Sequence, residues 1–165
     1  MTQEISEEPL VAALERLAQA GDRGALSALR RSLSEDAIAQ AYPYVVPFFP
    51  REPTPWLERA YLLVAGIFAV HPVSGPASLA AALRRVRDAT GSTSVEQRFI
   101  GLLNAHPDDL GTHLRHAVSL VGSQEIPIDW HDLLRTVRSW NSESARRRWA
   151  RDFWGGASLE EGETT

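Results

Sequence analysis

The residue type that could give this protein a binding function is arginine. All 17 basic residues of the sequence are arginine, and none is lysine. Six of them fall between residues 133 and 151, where Glu143 is the single acid, so this stretch has a charge balance of +5. Guanidinium groups bind phosphate through paired hydrogen bonds and stack on bases. Nearly uncompensated arginines at this density repel one another unless an anionic partner is present. The stretch therefore predicts a binding surface for a polyanion.

The net charge of −4 does not oppose this prediction, because the acidic residues are concentrated at the two ends of the chain. Three glutamates precede residue 9 and three follow residue 159. Without these six, 15 acidic residues remain against 17 arginines, so the body of the chain is slightly basic. A ligand responds to the local field and not to the total charge.

Helical spacing predicts where the arginines point. Arg147 and Arg151 lie one turn apart, on the polar side of a helix whose Trp149 and Phe153 face inward. Trp154 falls on the same polar side, where it could cover a partner or stack on a base. An aromatic side chain that is partly covered at a fraying helix end is an equal alternative.

Two further helices are predicted to carry arginine faces. Arg84 and Arg85 project opposite the apolar face of a helix that begins at Ser78, and Arg135 and Arg138 share an arc with a histidine on a later helix. For any single arginine, the alternative is a solvated helix face or a surface salt bridge.

One histidine cluster has the spacing of a metal site. Asp109, His113 and His116 project from one side of a predicted helix, and imidazole and carboxylate groups are ligands for zinc or iron. The HExxH signature is missing, however, and no fourth ligand is evident. A polar outward face is the other interpretation, and it predicts no metal; a metal hydrolase built on this trio stays as an alternative.

No other catalytic element stands out in the sequence. It has no cysteine, which excludes disulfides, thiolate metal sites and a cysteine nucleophile. It also lacks a glycine-rich phosphate loop, a nucleophile elbow and a pair of catalytic carboxylates. We therefore expect a protein that is not an enzyme and needs no cofactor.

The elements that must position the arginines are helices. Apolar residues recur at spacings of three and four along nearly the whole chain, which predicts an all-α fold of about eight helices. Thr54–Pro55 is a strong start signal, and Ser94 with Gln97 forms a predicted capping box. The proline-rich stretch 42–55 predicts an extended connector that packs against the body.

The helices are predicted to form two lobes. Residues 1–73, which include the connector 42–55, would form an N-terminal helical lobe, and residues 74–156 a C-terminal four-helix bundle. Residues 157–165 would form a disordered acidic tail. No signal peptide and no apolar stretch long enough for a bilayer is evident, so we expect a cytoplasmic protein without membrane contact.

Three segments in a fixed order resemble a known family. They are residues 23–31, residues 94–103 continuing to 113–115, and residues 128–153, with its tryptophans at 130, 140 and 149. The helix that ends at Phe68–Pro72 fits as well. In order and spacing the set resembles the CasB family, the small subunit of the type I-E CRISPR Cascade complex, from about residue 10 to residue 154.

The resemblance implies a non-enzymatic subunit that is present in two copies in an RNA-guided surveillance complex for antiviral defence. Its implied partners are the CRISPR guide RNA, the target DNA with its displaced strand, the RNA-backbone subunit, the large subunit and a second copy of itself. Because base pairing reads the sequence, such a protein needs to hold only backbone and unpaired strand. Relatives are often basic, whereas this chain has a pI of about 5.7, so we expect weak nucleic-acid binding outside the complex.

The resemblance carries a nucleic-acid-binding role to eight arginines, and the surface argument alone adds Arg84 and Arg85. The eight are Arg23, Arg30, Arg31, Arg98, Arg115, Arg138, Arg147 and Arg151. The alternative function is a structural helical adaptor whose arginines meet acidic protein surfaces. Sequence alone does not separate arginines that contact RNA from those that contact DNA.

Overall fold

The computed structural model describes residues 7–155, and within that range the chain forms nine α-helices and no β-strand, which confirms the predicted all-α class. In chain order the helices are α1 (Pro9–Gln19), α2 (Arg23–Arg31), α3 (Tyr42–Val45), α4 (Pro55–Phe68), α5 (Leu79–Thr90), α6 (Thr93–Leu103), α7 (Pro107–Ser123), α8 (Trp130–Arg138) and α9 (Glu143–Ala150). Two 3₁₀ segments, Glu35–Ala41 and Val46–Phe48, flank α3, and a π-helical turn, Arg151–Gly155, follows α9. None of the helices in the described range is long and apolar enough to cross a membrane.

The chain divides into two compact units. The first comprises residues up to Ser74 together with α8, and the second comprises Gly75–Asp129 and the chain from Ser139 onward. The sequence-based division at residue 73 assigned α8 to the C-terminal bundle, whereas α8 lies in the first unit. The second unit retains four α-helices, namely α5, α6, α7 and α9.

Two tryptophans explain why α8 belongs to the first unit. The Trp130 ring is fully buried against Phe68, with 5.2 Å between ring centres, and its indole N–H donates to the carbonyl of Val73 at 3.2 Å. Trp56 on α4 donates to the carbonyl of Val137 at 3.1 Å. Buried aromatic rings with satisfied N–H groups dominate local packing energetics. These contacts therefore place α8 in the first unit, although the segments before and after it in the sequence belong to the second.

The core of the first unit is built around α4, as its apolar composition predicts. Val64, Ile67 and Phe68 are fully buried, and α4 packs on α1, α2 and α8. The predicted start is confirmed, because the Thr54 hydroxyl accepts a hydrogen bond from the Leu57 N–H at 3.1 Å.

The proline-rich stretch is helical where an extended chain was expected. Residues 42–48 form α3 and a 3₁₀ turn, and in each a proline occupies one of the first two positions. At those positions a helix needs no backbone donor, so proline is tolerated and its fixed φ favours the turn. The segment does pack, as predicted, because Val45 is fully buried and Phe49 contacts the Tyr61 ring edge-on at 6.1 Å.

The second unit has an aromatic core. Trp140 and Trp149 meet edge-on at 5.9 Å, and the Trp140 indole donates to the carbonyl of Ala105 at 2.9 Å. Ser78 caps α5 as predicted, and its hydroxyl also donates to the Asp152 carboxylate at 2.8 Å. The predicted capping box at Ser94 is wrong, because the cap residue of α6 is Ser92. The predicted tail, residues 157–165, lies outside the described residues.

Candidate nucleic-acid interface

Arg138 is committed to an internal ion pair. Its guanidinium donates to the Glu8 carboxylate at 3.0 and 3.3 Å, and the Glu8 side chain is only 8% exposed. The guanidinium carbon also lies 5.7 Å from the centre of the buried Tyr61 ring. Burial raises the pKa of Tyr61 above its ordinary value of 10.0; the charge of Arg138 opposes this shift and that of Glu8 adds to it. Arg138 therefore has a structural role in the first unit, and this ion pair competes with the nucleic-acid-binding role that the resemblance carries to it.

His131 and Arg138 lie on one side of α8, as predicted, but their side chains contact Glu8 and Glu15 of the N-terminal segment. The Glu8 backbone N–H donates to Nδ1 of His131 at 2.8 Å, and Nε2 of the same ring lies 3.4 Å from the Glu15 carboxylate. With Arg138 on the same arc, these groups fix the first turn of α1 on α8. Both elements belong to the first unit.

Three other arginines of the first unit lie on α2. Arg31 donates to the Gln40 side-chain oxygen at 2.9 Å and to the Ser27 hydroxyl at 2.6 Å. Arg30 donates to the carbonyl of Ala69 at 3.2 Å. Arg23 is exposed and has no partner in residues 7–155. None of the three guanidinium groups therefore pairs with a carboxylate in residues 7–155.

The second unit carries the largest set of unpaired guanidinium groups. Five of the predicted arginines have no hydrogen bond or ion pair with any described residue, and all are exposed except Arg84, which is half-buried. They are Arg84 and Arg85 on α5, Arg98 on α6, Arg115 on α7 and Arg151 in the π-helical turn. Arg147 forms a 3.4 Å pair with Glu143, but the two side chains are 69% and 82% exposed, so the pair contributes little.

Not every arginine of the dense stretch 133–151 is available. Besides Arg138, Arg146 is turned into the second unit, where it donates to the carbonyl of Leu103 at 3.4 Å and lies over the Trp140 ring. Helical spacing does not predict this position, because the contact of a guanidinium with an aromatic ring depends on tertiary packing. The charge balance of +5 therefore overstates the field that this stretch presents.

A groove of about 540 Å³ lies between α6 and α7. Its lining comprises Gln97, Arg98, Gly101, His113, His116 and Ala117, with no carboxylate. Here Arg98 shares a surface with two imidazoles and an amide. This arrangement is suited to hydrogen bonding with an anion.

The predicted trio Asp109, His113 and His116 does not form a metal site. Within the described residues, no group of three histidine, cysteine, aspartate or glutamate side chains is placed to hold an ion. Along one helix, residues seven positions apart are separated by about 10.5 Å of rise. The outer two members would therefore have to extend toward each other along the helix to reach one ion, and they are not placed to do so in the described residues.

The fold and the surface together define a class: an all-α protein of two helical units, with uncompensated arginines on outward helix positions. Comparison with known proteins narrows this class. The family model for CRISPR-associated protein Cse2 matches residues 25–154, and the chain belongs to that family. This confirms the resemblance to CasB that the sequence motifs carry.

Individual relatives support the same family assignment. A CRISPR-associated protein Cse2 from Thermus thermophilus is 37% identical over 142 residues, which cover 83% of this chain and 82% of the relative. The crystal structure of a Cse2-family protein from Thermus thermophilus superposes with a TM-score of 0.79 at 35% identity, over 91% of this chain and all of that one. The structure of CasB from M. ruber gives 0.76 at 31% identity, over 96% of this chain and all of the other.

One further structure shares the fold. A chain of a CRISPR RNA-guided surveillance complex is 24% identical and has a TM-score of 0.76, covering 94% of this chain and 95% of that chain.

Proposed function

We propose that this protein is the non-catalytic small subunit of a type I-E CRISPR Cascade complex and that it binds nucleic acid through exposed arginines. The observation that carries the proposal is the set of five guanidinium groups in the second unit that have no partner in the described residues. Membership of the Cse2 family and the shared fold with a chain of an RNA-guided surveillance complex support it.

The chemistry of an RNA-guided complex explains why arginines suffice. Sequence is read by pairing between guide and target, so an accessory subunit needs to stabilise only the hybrid and the displaced DNA strand. Each phosphate that a guanidinium neutralises releases counterions, which gives sequence-independent affinity. The partners of this proposal are the guide RNA, the target DNA, the RNA-backbone subunit, the large subunit and a second copy of the chain, assembled in the cytoplasm.

The test uses the assembled complex with Arg147→Glu and Arg151→Glu combined. Both side chains are exposed, and neither supports the core, so the variant should remain folded. We expect target DNA binding to weaken by about tenfold or more at physiological salt, because two phosphate contacts are replaced by repulsion. Retention of the displaced strand should fall in the same salt titration.

The matched control is Arg16→Glu with Arg51→Glu. These two arginines are also exposed and without a partner in the described residues, lie in the first unit, and impose the same change in net charge. Unchanged retention of the displaced strand by the Arg147/Arg151 variant contradicts the proposal. Recovery of the complex without guide RNA, at full yield of its protein subunits, supports instead an adaptor that binds acidic protein surfaces.

A further inference from the structure

Trp154 is the exception among the tryptophans of this protein. Trp130, Trp140 and Trp149 are at most 1% exposed, and Trp56 is half-buried with its N–H bonded to Val137. Trp154, in contrast, is 41% exposed. An exposed indole offers a large, flat apolar surface with a polar N–H, which is suited to contact with a partner.

The indole is nevertheless held in place. It lies 4.9 Å from the Phe153 ring and 5.2 Å from the Phe99 ring, and both phenylalanines are fully buried. Phe99 and Phe153 stack on each other at 4.4 Å. The exposed ring thus rests on a rigid aromatic base formed by α6 and the π-helical turn, so binding a ligand would cost little side-chain entropy.

The orientation of these rings leaves stacking capacity unused. Trp154 meets Phe153 at 82° and Phe99 at 57°, so neither ring is parallel to the indole. None of the ring contacts within the described residues places a parallel aromatic on Trp154. A flat π-system is the ligand that such an indole stacks on most favourably.

Positively charged side chains near the supporting rings indicate that the flat ligand is part of an anion. Arg151 begins the π-helical turn that contains Trp154, and Arg98 directly precedes Phe99 on α6. Both arginines are exposed and have no partner in the described residues. Proteins that bind single-stranded nucleic acid combine an aromatic ring, on which bases stack, with cations that contact the phosphates. Here the two arginines lie on the same two elements that carry the supporting rings of Trp154.

We propose that Trp154 is a stacking platform for an unpaired base of a single nucleic-acid strand, with Arg98 and Arg151 on the adjoining phosphates. The inference rests on the proposed nucleic-acid binding and deepens it, because it names a contact with bases in addition to backbone. The π-helical geometry of Arg151–Gly155 accords with this role, since such turns occur frequently at functional sites.

The experiment compares two oligonucleotides on the purified full-length chain at low salt. One is a thymidine 12-mer, and the other is an abasic strand with the same length and charge. Trp154→Leu should weaken binding of the thymidine strand on the order of 5- to 150-fold and leave binding of the abasic strand unchanged. Trp154→Phe, which keeps an aromatic face, should retain most of the affinity.

The arginine variant separates the two proposals. Arg147→Glu with Arg151→Glu should weaken binding of both strands, whether or not Trp154 stacks on a base. If it does so while Trp154→Leu has no effect on the thymidine strand, the platform is overturned and the proposed function stands. If wild-type protein binds neither strand at low salt, the platform is overturned, whereas the proposed function is decided by the assembled complex.

A fluorescence titration keeps the platform testable if Trp154→Leu does not fold. The difference between the emission of wild-type protein and that of Trp154→Phe isolates Trp154, and stacking on thymidine should quench it at saturation. The absence of quenching overturns the platform. Loss of Trp154→Leu from the assembled complex, with thymidine binding intact, would instead assign this ring to a protein interface.

Discussion

The same residue type has opposite roles in this protein, and its surroundings decide which. Arg138 faces a buried carboxylate and an aromatic ring, whereas Arg147 faces an exposed carboxylate that competes poorly with water. Both were predicted to bind nucleic acid, and helical spacing treats them alike. The two arginines differ only in their tertiary partners, and the partner of Arg138 lies 130 positions away in the sequence.

Because Glu8 is buried and Glu143 is exposed, we expect removal of each carboxylate charge to lower the free energy of unfolding by a different amount. Glu8→Gln should lower the free energy of unfolding by about 1–2 kcal/mol, because it removes a charge-assisted hydrogen bond from a partly exposed arginine. Glu143→Gln is the matched control and should change the free energy by no more than about 0.5 kcal/mol. Chemical denaturation of both variants measures this, and equal costs would contradict a structural role for Arg138.

Tyr61 predicts an alkaline limit to stability. Burial raises its pKa above 10.0 in the folded state, so the fold favours the neutral phenol. Stability from this group is fully present below pH 10.0 and is lost as the pH rises through the raised pKa. Relative to Tyr61→Phe, wild-type protein should therefore lose unfolding free energy above that pH. Denaturation series between about pH 8 and 11 test this, and a relative gain would mean that the charge of Arg138 dominates instead.

At the scale of helices, the sequence predicted those features whose cause is local. The caps at Thr54 and Ser78 were assigned correctly, because each side chain accepts from a backbone N–H three residues later. The helical turns at 42–48 were missed, since proline at the start of a short helix resembles proline in an extended chain. The membership of α8 was missed because it depends on long-range packing of Trp130.

The candidate site was predictable to the same extent. Arg85 and Arg151 are exposed, as helical spacing predicts. Arg98 and Arg115, which only the family resemblance singled out, are exposed as well. The internal positions of Arg138 and Arg146 depend on residues distant in sequence and had no local signal. The bracing of Trp154 by Phe99 likewise joins two helices that the sequence pattern does not connect.

Gly66 sets the distance between α2 and α4. A Cβ atom there would lie 2.6 Å from a methyl carbon of Leu33 and 3.1 Å from the carbonyl oxygen of Leu29. Gly66→Ala should therefore destabilise the protein by about 1–3 kcal/mol, although alanine is the better helix former. Gly101→Ala on α6 is the control, because its Cβ would make ordinary contact with His113 at 3.5 Å.

The two glycine variants are expected to have opposite signs. Gly101→Ala should raise the free energy of unfolding by up to about 1 kcal/mol through helix propensity alone. Thermal or chemical denaturation distinguishes them. A neutral Gly66→Ala would show that Leu33 repacks and that the approach of α2 to α4 does not require glycine.

For the whole molecule, total charge is a poor guide to the proposed binding. In the described residues, the second unit holds nine arginines against eight acids, and the first unit holds eight against nine. Neither unit is strongly basic, so long-range attraction of a polyanion should be weak. Affinity then depends on which guanidinium groups have no hydrogen-bond or ion-pair partner among the described residues, and in the second unit five have none.

This distinction is measurable in the salt dependence of binding. If individual unpaired arginines neutralise phosphates on a single strand, the logarithm of the binding constant falls linearly with the logarithm of salt concentration, by about 0.7 per phosphate. Arg147→Glu with Arg151→Glu should then reduce that slope by about 1.4. Arg16→Glu with Arg51→Glu makes the same change in net charge and should leave the slope intact. Equal reductions in the two variants would mean that overall charge, and not the position of Arg147 and Arg151 in the second unit, governs the attraction.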